Sequence, residues 1–212
     1  NFPDTDLFFL KFFNSFMLFE GFLKYFTEIG NGFICLSIVI PFLSILSYKL
    51  KFLKFVKLEV LVISGVFIGL LVSLIKQLTA FSVRPGFFRF DEINYLEPIF
   101  LYSSFPSGHS ASIVGLILIW LNESIVNIKK IESKFIIFIF MVLAISVSIS
   151  RVMVGAHWLS DILGSFGIAI MASEVIKISN VKTFLVSQFS RNISYLLVVL
   201  SWTYMITQGS IY

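Results

Sequence analysis

A histidine and an aspartate four residues apart, His157 and Asp161 in SRVMVGAHWLSD, form the pair with the most chemical content in this sequence. On a helix that spacing puts both side chains on one face. A carboxylate that accepts from one ring nitrogen fixes the tautomer and leaves the other nitrogen basic. Such a ring serves as a nucleophile or a general base. Arg151 lies six residues earlier. A second histidine, His109 in SSFPSGHSAS, follows Ser107 and Gly108 where an apolar helix should begin. Backbone N–H groups at a helix N-terminus favour an anion, and Gly108 permits close approach of the backbone. His109 would stand beside that anion as a general acid for a departing oxygen. Lys76 and Arg84, in KQLTAFSVRP, add two cations to Arg151. Three cations and two imidazoles suit a phosphate, which guanidinium grips in a bidentate fork and lysine holds as a point charge.

These residues are carried by a chain of 212 residues that is 58% hydrophobic and 13% charged, with 26 Phe and a mean hydropathy of +0.96. Soluble domains carry about a quarter charged residues, so the composition points to an integral membrane protein. The expected fold is an all-α, polytopic transmembrane bundle of about six spans, near 31–48, 60–81, 109–126, 135–153, 158–176 and 192–209. Residues 7–26 are very apolar yet carry Lys11, Glu20 and Lys24, which predicts one or two interfacial helices. Residues 1–212 thus read as one domain, with interfacial helices over 1–30 and a catalytic core over 60–178. The acidic first residues do not resemble a cleavable signal peptide. Cys35 is the single cysteine, so no internal disulfide forms, and no Cys/His cluster suggests a metal or cofactor.

The net charge of +4 brackets the apolar runs, which sets topology rather than recruiting nucleic acid. The turns near 49–59, 122–134 and 174–191 hold ten of the sixteen basic residues against four of the twelve acids. That side should be cytoplasmic. Lys76, Arg84, Arg151, both histidines and Asp161 fall on the opposite side. Two crossings separate His109 from Arg151 and return the chain to the same face, so three distant stretches meet there by topology alone. Charges at mid-span, which a transporter or channel would need, are almost absent. A non-catalytic scaffold would have no use for the His157–Asp161 pair.

Taken together, Arg84-Pro85, Pro106-Ser107-Gly108-His109 and the 150–161 segment resemble the three-part signature of the type 2 phosphatidic acid phosphatases, over roughly residues 60 to 178. The second and third parts match fully. The first departs by one residue, with seven between Lys76 and Arg84 where the family usually has six, which would rotate Lys76 about its helix. The resemblance implies that His157 is the nucleophile and forms a phosphohistidine, that Asp161 orients it, and that His109 protonates the leaving group. It implies that Lys76, Arg84, Arg151 and the backbone around Ser107 and Gly108 hold the phosphoryl oxygens. It also implies that no metal takes part, that water releases the phosphate, and that a further span precedes Asn1.

A site at the outer membrane–water interface lets a lipid present its headgroup while its tails stay in hydrocarbon. The expected substrate is therefore a lipid phosphate or diphosphate. The usage of Phe, Ile and Lys suggests an AT-rich bacterial genome, an inner-membrane location and a periplasmic site. Candidate lipids are lipid A 1-phosphate, undecaprenyl diphosphate, phosphatidylglycerophosphate and phosphatidic acid, the first two favoured for a Gram-negative source. A lipid phosphotransferase using the same histidine is the alternative reading. The loop at 86–102 should line the access route, with Arg89 placed for a second phosphate.

Overall fold

Apolar runs bounded by Lys-rich turns fold as long helices. A computed structural model of the chain describes residues 4–17, 20–96 and 98–208. Residues 1–3, Glu97 of the 86–102 loop and residue 209 at the end of the last expected span lie outside the described residues. The helices are α1 (Asp4–Asn14), α2 (Glu20–Thr27), α3 (Gly32–Lys49), α4 (Leu58–Leu78), the short α5 (Pro85–Phe88), α6 (Gly108–Ser124), α7 (Ile131–Met153), α8 (Leu159–Ile176), α9 (Ser179–Leu185) and α10 (Gln188–Gln208). A 3-10 turn at Glu28–Gly30 joins α2 to α3, and a π-helical stretch, Cys35–Val39, lies within α3. Among the described residues, extended pairing is confined to the isolated bridges Leu53–Ile125 and Val83–Tyr102.

The protein is an all-α, multi-pass membrane bundle. Helices α3, α4, α7 and α8 are long and apolar enough to cross a bilayer, and α9 with α10, bent by 56° at the break between them, meet the same test only as a pair. The sixth expected span, α6, has 17 residues. At about 1.5 Å per residue it is slightly shorter than hydrocarbon about 30 Å thick. It tolerates that length because it is the central helix, packed by α4, α7 and α8. Ala111, Ile113, Leu116, Ile117, Ile119 and Trp120 are all buried. Helix α4 shows the pattern that surrounds it. Val60, Ser64, Ile68 and Val72, at steps of four, face inward, while Leu70, Leu74 and Leu78 are more than half exposed. With lipid outside, burial of apolar area no longer drives helix association, so close packing and satisfied polar groups hold the bundle. Two of its buried serines do this within their own helices: Ser64 Oγ donates to Val60 O at 2.5 Å and Ser148 Oγ to Ala144 O at 2.8 Å.

The Lys-rich turns gather at one end, where Lys54 N donates to Ser124 O at 2.8 Å and Lys182 Nζ meets Glu123 Oε1 at 2.8 Å. The ends of α4 and α7 and the starts of α6 and α8 gather at the other. There the N-terminal segment forms two helices of 11 and 8 residues, too short to span. Helix α1 is amphipathic in the inverted sense. Phe8 and Phe12 point outward, whereas Asp6, Leu10 and Asn14, again at steps of four, point into the bundle. Outward aromatic rings and inward polar groups suit a helix lying against lipid and clasping polar helix ends.

Candidate active site

The spacing between Arg151 and His157 has a local explanation. Helix α7 ends at Met153, and Gly155 follows with φ of +69°, a left-handed conformation that glycine adopts without strain. Gly155 N donates to Val152 O at 3.0 Å and Ala156 N to Arg151 O at 3.0 Å. These two bonds make a Schellman ending. The chain reverses so tightly that His157 N also reaches Arg151 O, at 3.2 Å. A Cβ at 155 would stand 2.6 Å from the Tyr95 ring, so the same glycine lets the 94–96 segment close over the turn.

Asp161 is the third residue of α8, where an acid bonds back to the N-cap amide. Its Oδ2 accepts from Trp158 N at 3.0 Å, from Ser104 Oγ at 2.5 Å and from His157 Nδ1 at 3.3 Å. Arg84 Nη1 lies 3.3 Å from His157 Nε2. A guanidinium only donates, so Nε2 presents its lone pair and Nδ1 carries the proton toward Asp161. That is the tautomer a nucleophilic imidazole requires. Burial, reinforced by Arg84, Arg151, Lys76 and His109, holds His157 well below the usual imidazole range. Its ring therefore stays neutral as pH falls past the ordinary value. We expect the acid limb of kcat/KM, which reports the free enzyme, to lie below pH 6.5 once substrate ionisation is subtracted. A limb at or above 6.5 would mean that the ring is not held neutral.

The cations are positioned by an irregular ribbon between residues 79–84 and 101–105. Arg84 N donates to Leu101 O at 2.9 Å and Ser104 N to Ser82 O at 3.1 Å. The Arg84 guanidinium donates to Tyr102 O, Ala156 O and Ser103 O at 2.9, 3.1 and 3.2 Å and lies 5.4 Å from the Phe100 ring centroid. Burial, with Arg151 nearby, lowers its pKa to about 10, which leaves it charged at neutral pH. Lys76 Nζ donates to the same Ser103 carbonyl at 2.6 Å. Seven residues separate Lys76 from Arg84, and the two cations converge on one carbonyl.

His109 and Arg151 open onto a cavity of about 560 Å³, lined as well by Lys24, Glu28, Asn31, Arg84, Tyr95, Leu96 and Phe100. The topology thus delivers Arg84, His109 and Arg151 to one cavity, with His157 and Asp161 buried directly behind Arg84. Ser107 stands at the start of α6. It is fully buried and acts as the N-cap of α6, its Oγ accepting from Ser110 Oγ at 3.0 Å. Its carbonyl accepts from Ser165 Oγ at 3.0 Å, tying α8 to the start of α6. Gly108 is not demanded by crowding, since a Cβ there would meet only Val72, at 3.7 Å. Arg89 is exposed and does not line the cavity.

Sequence reasoning missed the N-terminal contribution. Glu28 Oε1 lies 3.3 Å from His109 Nε2 and 3.7 Å from Arg151 Nη1, which also donates to Thr27 Oγ1 at 3.0 Å. Asp6 accepts from Ser160 N at 2.9 Å and from Ser160 Oγ at 2.6 Å, capping the helix that carries Asp161. Asn14 donates to Asn94 O and Met153 O at 2.8 and 2.6 Å, fastening the loop to the end of α7. The one signal available was Asp6 and Asn14, eight residues apart and so on one face of a largely apolar helix. Ser104 was also missed, although it sits beside the recognised motif.

Comparison with known proteins is consistent with this geometry. The PAP2 superfamily model matches residues 57–184. Phosphatidylglycerophosphatase B of Bacillus subtilis (strain 168) is 35% identical over 77 residues, a stretch that covers 35% of this chain and only 37% of that relative. The crystal structure of Aquifex aeolicus LpxE aligns with a TM-score of 0.62 at 22% identity, covering 82% of this chain and 95% of the other, a likeness of fold.

Proposed function

The chain belongs to the PAP2 superfamily, and we propose that within it the protein is an integral membrane phosphatase acting on a lipid phosphate or diphosphate through a phosphohistidine. The observation that carries this is the polarity of one ring: Asp161 holds Nδ1 of His157 at 3.3 Å, and Arg84 meets Nε2 at 3.3 Å. An incoming phosphoryl group draws Arg84 onto its oxygens and uncovers the Nε2 lone pair. Nε2 then bonds to phosphorus as the P–O bond breaks, and His109 gives its proton to the departing oxygen. In the second half, water loses a proton to His109 and attacks phosphorus, the N–P bond breaks, and phosphate leaves. Asp161 stabilises the positive ring throughout. Arg84, Arg151 and Lys76 neutralise the equatorial oxygens, the role metal ions take in other phosphoryl transfers. Chelation with EDTA should therefore leave activity unchanged.

The substrate class follows from location. Apolar Leu96 and Phe100 stand beside Arg84 and Arg151 in the cavity, an arrangement suited to a charged headgroup with an acyl or prenyl neighbour. The Lys-rich opposite end favours a periplasmic site in a bacterial inner membrane. Phosphatidylglycerophosphate, undecaprenyl diphosphate, lipid A 1-phosphate and phosphatidic acid are the candidates, and the name of the Bacillus subtilis relative supports including the first. The deciding experiment is phosphate release from each of the four by purified protein in detergent, with and without EDTA. Release from at least one, unaffected by EDTA, is expected. No release from any, or a phosphorylated second lipid in place of free phosphate, overturns hydrolysis, the latter in favour of phosphotransfer.

A further inference from the structure

The phosphatase reading employs one buried carboxylate, Asp161, yet a second lines the cavity in front of it. Glu28 comes from the 3-10 turn between α2 and α3, far in sequence from the recognised motifs. Its side chain is only 12% exposed, and Oε1 lies 3.3 Å from His109 Nε2. Its position is built. Asn31, the residue whose side chain caps α3, donates Nδ2 to Glu28 Oε2 at 2.7 Å. Gly30 seats the turn directly on the histidine: a Cβ there would lie 2.7 Å from His109 O, so only glycine lets the segment come this close.

Resting on that reading, we propose that Glu28 is the positioning residue of the leaving-group acid, holding His109 with its proton in place as Asp161 holds His157. The need is electrostatic. Arg151, Arg84 and Lys24 line the same cavity as His109. Burial and like charges both disfavour a protonated ring, so the setting that binds phosphate works against the proton the acid must give. A carboxylate against one ring nitrogen pulls the other way, toward the charged ring. With Nε2 turned to Glu28, Nδ1 is the atom left for the departing oxygen. The site then contains two carboxylate–imidazole pairs of opposite duty: Asp161–His157, buried behind Arg84, presents a lone pair, and Glu28–His109, on the cavity wall, presents a proton. Glu28 touches no reacting atom and acts through the ring.

The test is leaving-group dependence. An alkoxide departs only with a proton, whereas nitrophenolate departs without one. A long-chain alkyl phosphate and a nitrophenyl phosphate bearing a matching chain are compared in wild type, Glu28→Gln, Glu28→Asp, His109→Ala and His157→Ala. General acids contribute roughly 10²–10⁴-fold, so Glu28→Gln should lower kcat on the alkyl ester by at least about tenfold more than on the nitrophenyl ester. His109→Ala should show the same selectivity more strongly, and Glu28→Asp should restore part of the loss. If Glu28→Gln does not fold, Asn31→Ala is read for the same selectivity. Equal loss on both esters, or none, overturns the role of Glu28. If His157→Ala abolishes both esters in that case, the phosphohistidine reading still stands. If His157→Ala turns both over normally, that reading falls and this inference falls with it.

Discussion

His157→Ala is expected to reduce phosphate release to background while the protein stays folded. The ring is buried and hydrogen-bonds to Arg84 and Asp161, and its removal takes away the group that we propose bonds to phosphorus. Where a nucleophile works in concert with its partners, deleting it costs on the order of 10⁶ in kcat. The remaining cations still bind the phosphoryl group, so binding of a non-hydrolysable lipid phosphonate should persist. Substrate binding without turnover would be the signature of a missing nucleophile. Near-normal release from this variant would remove the phosphohistidine from the mechanism.

Asp161→Asn is the second large effect, and the more instructive one because it changes little volume. The carboxylate receives three donors on Oδ2, from Ser104, Trp158 and His157. An amide oxygen in the same place can keep all three donors. What it lacks is the negative charge, which favours the charged, phosphorylated ring. A loss of roughly 10⁴ in kcat accompanies the equivalent change in other imidazole–carboxylate pairs, and a similar order is expected here. Stability should change little, by about 1 kcal/mol, because a neutral acceptor still caps the first turn of α8. A melting temperature within a few degrees of wild type, with turnover collapsed, is the expected pair of results. Turnover within about tenfold of wild type would mean that Asp161 serves the helix and not the chemistry.

Much of the architecture was legible because hydropathy and charge are local signals. The apolar runs closed by Lys49, Lys51, Lys54 and Lys57, and by Lys129, Lys130 and Lys134, each end in a turn at one end of the bundle. The half-polar run at 7–26 became two short helices. The central position of α6 was less legible, since a short apolar run reads the same whether it faces lipid or protein. Only packing by α4, α7 and α8 distinguishes the two. Within the site, the motif residues were legible by type and spacing, and the Schellman ending at Gly155 explains why Arg151 and His157 keep theirs. The contacts of the Ser107 side chain and carbonyl were less legible, because the cap on α6 and the bond from Ser165 show only once the helices are packed.

The sequence by itself determined that this chain crosses a membrane several times, which end carries the basic turns, and that two imidazoles, an aspartate and three cations share the other end. Period, length and charge along a single helix encode all of that. Tertiary structure alone decided that Glu28 meets His109 and that Ser104 meets Asp161. It also decided that Arg84 covers Nε2 of His157, which selects its tautomer. Those contacts join residues more than fifty positions apart, and they depend on how helices cross and how a 3-10 turn seats against a helix start, angles that no pattern along the chain records.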